Sequence, residues 1–402
     1  MKIEKLYYLF LPLLAYLLFS CSEDQGEIPL PEPEEYIYLI SATSERDSWT
    51  TSELGDKIAV LDVDPMYLAL MPNTEICISE IHYRTTDPAG SPVVASGLLA
   101  YPASGHFKGV IVAEHFTTSA DREVPTSSGL AIESLYSLFG YVVISPDYLG
   151  FGTTVDLPHP YLHVESVGRV SVDMVLAVRE YMQSVEMPLP DGVLVVGYSQ
   201  GGACALAFQK MAEEEYAEEI PIIATMAGGG PYDPVALFEE MQQSDEAAFP
   251  CSLPLTAVGL DYGDDLRLDF SKIFRGALLE NYADWIGSKH YTTGEINRLI
   301  ASHRVSDFMH PDLFLKDMNS ELQKFYASLQ KNRLTDWTPK APIWLLHADN
   351  DTYVSFTCAR NAYNAFKAKG CPVELEVTYS GHKETGLLFY MKVLSKLKEY
   401  ED

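Results

Sequence analysis

Cysteine is scarce, with six in 402 residues. That is too few for a disulfide-built scaffold, so a hydrophobic core has to hold the chain together. Basic residues are also scarce: 28 Lys and Arg face 57 Asp and Glu, a formal net charge of -29. A surface this anionic repels phosphate backbones and anionic headgroups, so nucleic acid is excluded as an expected partner. Metal-binding patterns are missing, since no cysteine pair has ligand spacing and no His-Glu-x-x-His run occurs; neither a metal nor a cofactor is expected. No segment repeats at a fixed period, which argues against a propeller or solenoid. The apolar run Leu6–Phe19 is too short for an ordinary spanning helix.

That run reads instead as the core of a signal peptide covering residues 1–20, because Lys2 and Lys5 precede it. It ends in Leu18-Phe19-Ser20-Cys21, similar to the lipobox of bacterial lipoproteins, and Ser22-Glu23-Asp24 is similar to an acidic surface-export signal. The resemblance implies lipidation of Cys21 and a lipid anchor as the only membrane contact, at the outer membrane or surface of a Gram-negative cell. Residues 21–50 begin rich in Pro and Glu and are expected to form a disordered tether. With Cys21 lipidated, five cysteines remain, and an odd number leaves at least one thiol free.

The remainder has an ordinary globular composition, 47% hydrophobic and 21% charged. Ile76–Thr85 and Val93–Tyr101 mix apolar and polar residues as partly exposed antiparallel strands do. Gly109–Ala113, Tyr141–Ser145, Val193–Val196, Pro221–Ala227 and Ile343–Leu346 are nearly continuous apolar runs, and Val373–Tyr379 closes the set. Such runs suit parallel strands covered by helices on both faces, with helices expected chiefly at Glu165–Met182, Gln200–Tyr216 and Gly386–Glu399. The expectation is an α/β chain with a mostly parallel, eight-stranded sheet. Residues 51–232 and 338–402 form one domain, and 233–337 are an inserted, mostly helical cap with pieces at Pro234–Gln243 and Gly294–Val305.

The strongest chemical signal is Gly197-Tyr198-Ser199-Gln200-Gly201, which follows a strand-like run and precedes a helix-like one. A nucleophile on such a turn projects its Oγ from the sheet edge, and Gly197 and Gly201 are required where backbone segments approach closely. A serine hydroxyl needs a base, and the base needs an orienting acid. His382, in Ser380-Gly381-His382 after the last strand-like run, is the expected base; His347 is the blander alternative. The acid is expected in Ala348-Asp349-Asn350-Asp351, at Asp351, with Asp349 as the fallback. The amide of Gln200 is one expected oxyanion donor, and Thr117, beside Phe116 in the loop after Gly109–Ala113, is the favoured second.

These motifs resemble the α/β-hydrolase superfamily, and more narrowly the secretory lipase (lipase A-like) family. The matching stretches include Tyr83-Arg84-Thr85-Thr86, Ala95-Ser96-Gly97-Leu98-Leu99, Pro146-Asp147-Tyr148-Leu149-Gly150-Phe151-Gly152, His159-Pro160-Tyr161-Leu162 and Gly229-Gly230-Pro231-Tyr232-Asp233. The resemblance implies an eight-stranded hydrolase sheet, a helical cap over the site, and hydrolysis of a small-molecule or glycan carboxylic ester. Phe116 stands where many relatives have glycine. Asp147 is expected to hold its loop, while His159 and His163 are candidates to line the pocket, a structural role being the commoner one for loop histidines. Three readings compete: an esterase or lipase, including a carbohydrate acetyl or feruloyl esterase; a prolyl-oligopeptidase-like peptidase; and a non-catalytic binding lipoprotein. The apolar cap residues Phe249, Leu253, Leu255, Ile273 and Phe274 could line an acyl tunnel or pack the cap.

Overall fold

The structure, a computed structural model, describes residues 36–45, 48–55 and 71–401. The expected signal peptide, Cys21 and most of the expected tether lie outside these residues. Ten strands form one sheet among the described residues: β1 (Leu39–Thr43), β2 (Trp49–Thr50), β3 (Glu75–Thr86), β4 (Pro92–Pro102), β5 (Gly109–Glu114), β6 (Tyr141–Pro146), β7 (Val193–Tyr198), β8 (Ile222–Gly228), β9 (Ile343–Ala348) and β10 (Val373–Thr378). Their order is β1-β3-β4-β6-β5-β7-β8-β9-β10, with β2 paired to β3. Pairing is antiparallel from β1 to β6 and parallel from β6 to β10. β5, β6, β7 and β9 are buried at every position, which explains their unbroken apolar sequence.

The sheet therefore exceeds the expected eight strands, and the tether expected over 21–50 overran the start of the fold. Leu39–Thr43 and Trp49–Thr50 are too short and mixed to show a period, yet both pair with the outer edge of β3, whose backbone groups need partners. A side chain distant in sequence completes the anchoring. The Glu180 carboxylate accepts the amides of Ile37, Tyr38 and Leu39 at 2.9, 3.0 and 2.7 Å.

The longer helices, in chain order, are α1 (Val164–Ser184), α2 (Gln200–Glu215), α3 (Pro234–Ser244), α4 (Ser252–Gly263), α5 (Gly276–Trp285), α6 (Thr293–Ile300), α7 (Ser320–Lys331), α8 (Phe356–Ala368) and α9 (His382–Leu397). Alternate residues of the strands, such as Ile111, Ala113, Leu194 and Val196, build one core face with Leu135, Tyr136 and, from α9, Phe389 and Val393. α1 and α2 pack together and against β3, β7 and β8. α9 begins four residues before the expected Gly386, at His382 itself.

The chain between β8 and β9 carries α3 to α7, which enclose a second apolar core of residues including Phe238, Leu260, Leu255, Ile273 and Phe274. The helix expected over Gly294–Val305 is broken. Ala301 turns into the left-handed region at φ 56°, and a new single turn starts at Val305.

Candidate active site

The site grows from the end of β7. Ser199 sits between that strand and α2 with φ 59° and ψ -125°, a conformation an L-residue adopts only at a cost. Its amide is held by the Gly228 carbonyl at 2.8 Å. The turn is tight enough to forbid side chains around it: a Cβ on Gly197 would lie 2.0 Å from the Gly201 carbonyl oxygen, and one on Gly201 would lie 2.0 Å from that of Glu114. The sequence spacing of these glycines thus has a direct steric cause.

His382 is the first residue of α9, and its Nε2 lies 2.9 Å from Ser199 Oγ. Its Nδ1 lies 2.6 Å from Asp351 Oδ2. Nδ1–H donates to the carboxylate, which leaves Nε2 as the acceptor for the serine proton. The other Asp351 oxygen, Oδ1, accepts the amides of Tyr353 and Val354, each at 2.9 Å, so the loop after β9 fixes the carboxylate. Asp349, the fallback acid, is exposed, and its amide pairs with the Thr378 carbonyl. Two further contacts set the imidazole. The Tyr198 hydroxyl donates to the His382 carbonyl at 2.6 Å, and the Tyr353 ring lies 5.3 Å from the His382 ring.

Thr117 and Gln200 both border the cavity above Ser199. Gln200 opens α2, so its amide has no carbonyl one turn earlier within the helix. The Thr117 hydroxyl shares a hydrogen bond with the Tyr161 hydroxyl at 3.1 Å, and the neighbouring Phe116 ring is 45% exposed.

The cavity has a volume of about 890 Å³ and includes Ser199 and His382 in its lining. Its cap side is apolar, with Leu237, Phe238, Met241, Phe249, Leu253 and Phe325. Of the five apolar cap residues noted in the sequence, Phe249 and Leu253 reach the cavity, whereas Leu255, Ile273 and Phe274 pack the cap core. Phe249 also stacks on Tyr353 at 5.1 Å, which links the cap to the loop that carries Asp351.

Other sequence candidates have structural positions. Asp147 is fully buried and accepts Ser96 Oγ, the Thr126 amide and Thr126 Oγ1 at 2.7, 2.9 and 2.5 Å. His159 does not line the cavity; Nδ1–H donates to the Leu149 carbonyl at 2.6 Å, and Nε2 accepts from the Gln200 side-chain amide at 3.3 Å. His163 caps α1 and faces Asp264 of the cap at 3.3 Å. Both histidines therefore take the structural alternative, bracing the loop before α1 rather than lining the cavity. Cys204, Cys251, Cys358 and Cys371 are buried free thiols.

Burial reshapes several acids and bases near the site. It pushes the Glu114 carboxyl, at the end of β5, up to about 7, and that of Asp147 up to about 6. It lowers His115 to about 4 and His159 to about 3, so both stay neutral. His347, the alternative base, is also held neutral by burial, and Nε2–H donates to the Val354 carbonyl at 2.9 Å. Sequence reasoning did not single out Glu114, although an acid ending an apolar strand is a readable anomaly.

Comparison with known proteins agrees with this arrangement. Residues 128–388 match the secretory lipase family. The secreted triacylglycerol lipase LIP4 of Malassezia globosa is 27% identical over 326 residues, covering 74% of this chain and 66% of that protein. LIP5 of Malassezia furfur, also a secreted triacylglycerol lipase, is 26% identical over 248 residues, 60% of each chain. This chain thus spans slightly under two thirds of the length of the relatives it matches. Among solved structures, the rice cell wall degrading esterase LipA from Xanthomonas oryzae is 22% identical, with 90% of this chain and 99% of that one covered at a TM-score of 0.76. Candida antarctica lipase A in its closed state is 16% identical, with 86% and 77% covered at 0.61. At such identities the likeness concerns the fold, which is that of the α/β-hydrolases.

Proposed function

Given that the chain belongs to the secretory lipase family, we propose that it is a serine carboxylic ester hydrolase working through an acyl-enzyme on Ser199. The observation that carries this reading is the relay Asp351–His382–Ser199, with links of 2.6 and 2.9 Å. Ser199 Oγ attacks the ester carbonyl as His382 Nε2 takes its proton, and Asp351 stabilises the imidazolium that forms. The amides of Gln200 and Thr117 receive the oxyanion. His382 then returns the proton to the leaving alcohol, and a water activated the same way releases the acid.

The apolar cap wall supports a substrate whose acyl part is an aliphatic chain rather than acetyl alone. A series of nitrophenyl esters of increasing acyl length tests this, with acetylated and feruloylated sugars run beside it. Turnover rising towards chains beyond eight carbons supports the lipase reading, and acetyl-only turnover contradicts it. The same serine relay could cleave a peptide; an aminoacyl amide turned over faster than the matching ester would favour that chemistry.

The exported relatives support action outside the cytoplasm, and lipidation at Cys21 holds the enzyme at the cell envelope. Mass spectrometry of the mature protein tests the anchor: a diacylglyceryl-modified Cys21 is expected, and an unmodified thiol there contradicts it.

A further inference from the structure

Among the cavity-lining residues that lie outside the cap insertion are the apolar Leu130, Ala131, Ile132 and Leu387, together with Glu133 and Tyr390. The ester chemistry uses neither. Glu133 is 1% exposed, and the Tyr390 hydroxyl donates to its Oε1 at 2.8 Å. Burial raises the carboxyl to about 7, and no cation offsets it among the groups acting on it. A leucine would fill the same space without that desolvation cost. The backbone that carries the phenol is tied down as well, since the Tyr136 hydroxyl donates to the Tyr390 carbonyl at 3.1 Å. With its proton committed to Glu133, the Tyr390 oxygen keeps lone pairs for an incoming donor.

We propose that the Glu133–Tyr390 pair is a specificity site for the alcohol part of the substrate, where it receives a neutral hydroxyl remote from the ester bond. This rests on the ester-hydrolase reading. His382, Gly386 and Tyr390 follow one another at four-residue intervals on α9 and so share one face of that helix. Eight residues of helix place Tyr390 about 12 Å from His382. His382 hands its proton to the leaving oxygen, so the alcohol departs along this face while the acyl chain lies against the cap. The favoured substrate class is an ester of a polyol, a sugar or a long diol, whose second hydroxyl reaches that far.

The test uses the intact protein and two matched series. One pairs monobutyrates of terminal diols of about six to ten carbons with butyrates of the same-length simple alcohols, a span set by that 12 Å. The other pairs ω-hydroxyacyl with plain acyl esters of a short alcohol. The wild type is expected to favour the diol esters in kcat/KM at one chain length. In Tyr390→Phe that preference falls about tenfold, the effect of one lost hydrogen bond to a buried group. Glu133→Gln gives an intermediate loss, and thermal unfolding of both variants checks that they fold. No diol preference at any length, a preference unchanged in Tyr390→Phe, or one found only in the hydroxyacyl series overturns the inference. A wild type that cleaves neither series nor nitrophenyl butyrate breaks the ester-hydrolase reading instead.

Discussion

His347 and His382 face the same oxygen of Asp351, Oδ2, at 3.5 and 2.6 Å respectively. The two rings do different work. His382 reaches on to Ser199, whereas His347 is completely buried on β9 and ties the loop back to its own strand through the Val354 carbonyl. Asp351 is thus held from three directions: by two loop amides, by the clamp of His347, and by the imidazole it orients. A neutral His347 suits this role, because a second imidazolium beside Asp351 would weaken its hold on His382.

His347→Leu removes the clamp and leaves the buried Val354 carbonyl unpaired, at a cost of about 1–3 kcal/mol. Steady-state kinetics on a short nitrophenyl ester are expected to show kcat reduced about tenfold or more with KM little changed, because a small misplacement of a reacting group costs that much. An unaltered kcat would remove His347 from the positioning of the acid.

Gly201→Ala places a methyl group 2.0 Å from the Glu114 carbonyl oxygen. Neither backbone can move without displacing Ser199 or the loop after β5. A loss above about 4 kcal/mol is expected, in the range of the most damaging single changes. Gly370→Ala makes the comparison, since its Cβ meets nothing within 4 Å and only its φ of 77° resists; about 1 kcal/mol is expected there. Urea unfolding of both variants measures the contrast.

Phe249→Ala breaks the stack from the cap through Tyr353 to His382 and removes part of the apolar cavity wall. KM for a long-chain ester is expected to rise several-fold while that for an acetyl ester stays within about twofold, following the loss of about 1 kcal/mol of apolar contact with the chain. An equal effect on both esters would place Phe249 outside the acyl path.

Glu114 gives stability a pH dependence of defined sign. Its carboxyl titrates near 4.5 when the chain is unfolded and at about 7 when buried. Between those values the folded chain holds the additional proton. Its contribution is therefore full below about pH 4.5, is lost as pH rises through 7, and is constant above that. In Glu114→Gln this slope disappears. The variant should gain on the wild type between pH 5 and pH 8 by roughly 3 kcal/mol at most, as read from urea unfolding at the two pH values.

The parallel half of the sheet is legible in the sequence because β5, β6, β7 and β9 are buried on both faces and leave no polar position to confuse the pattern. The neighbours Ser199, Asp351 and His382 are legible for a related reason. Each follows the end of a strand, and β7, β9 and β10 deliver their following loops to one edge of the sheet. β1 and β2 escaped because their pairing is decided by the edge of β3 and by Glu180, which lies some 140 residues on. Glu133 and Tyr390 escaped for the same reason, since a contact spanning 257 residues leaves no local pattern. His159 and His163 are legible as loop histidines with either a pocket or a structural role, but only the fold shows that the first supports Gln200 and the second caps α1.

The most direct test of the central proposal is covalent labelling with a fluorophosphonate, read by peptide mass spectrometry. A single adduct on Ser199 is expected in the wild-type protein, absent from Ser199→Ala and strongly slowed in His382→Ala, whose serine has lost its base. A wild-type protein that remains unlabelled, or an adduct that persists elsewhere in Ser199→Ala while ester turnover continues, would contradict a Ser199 acyl-enzyme.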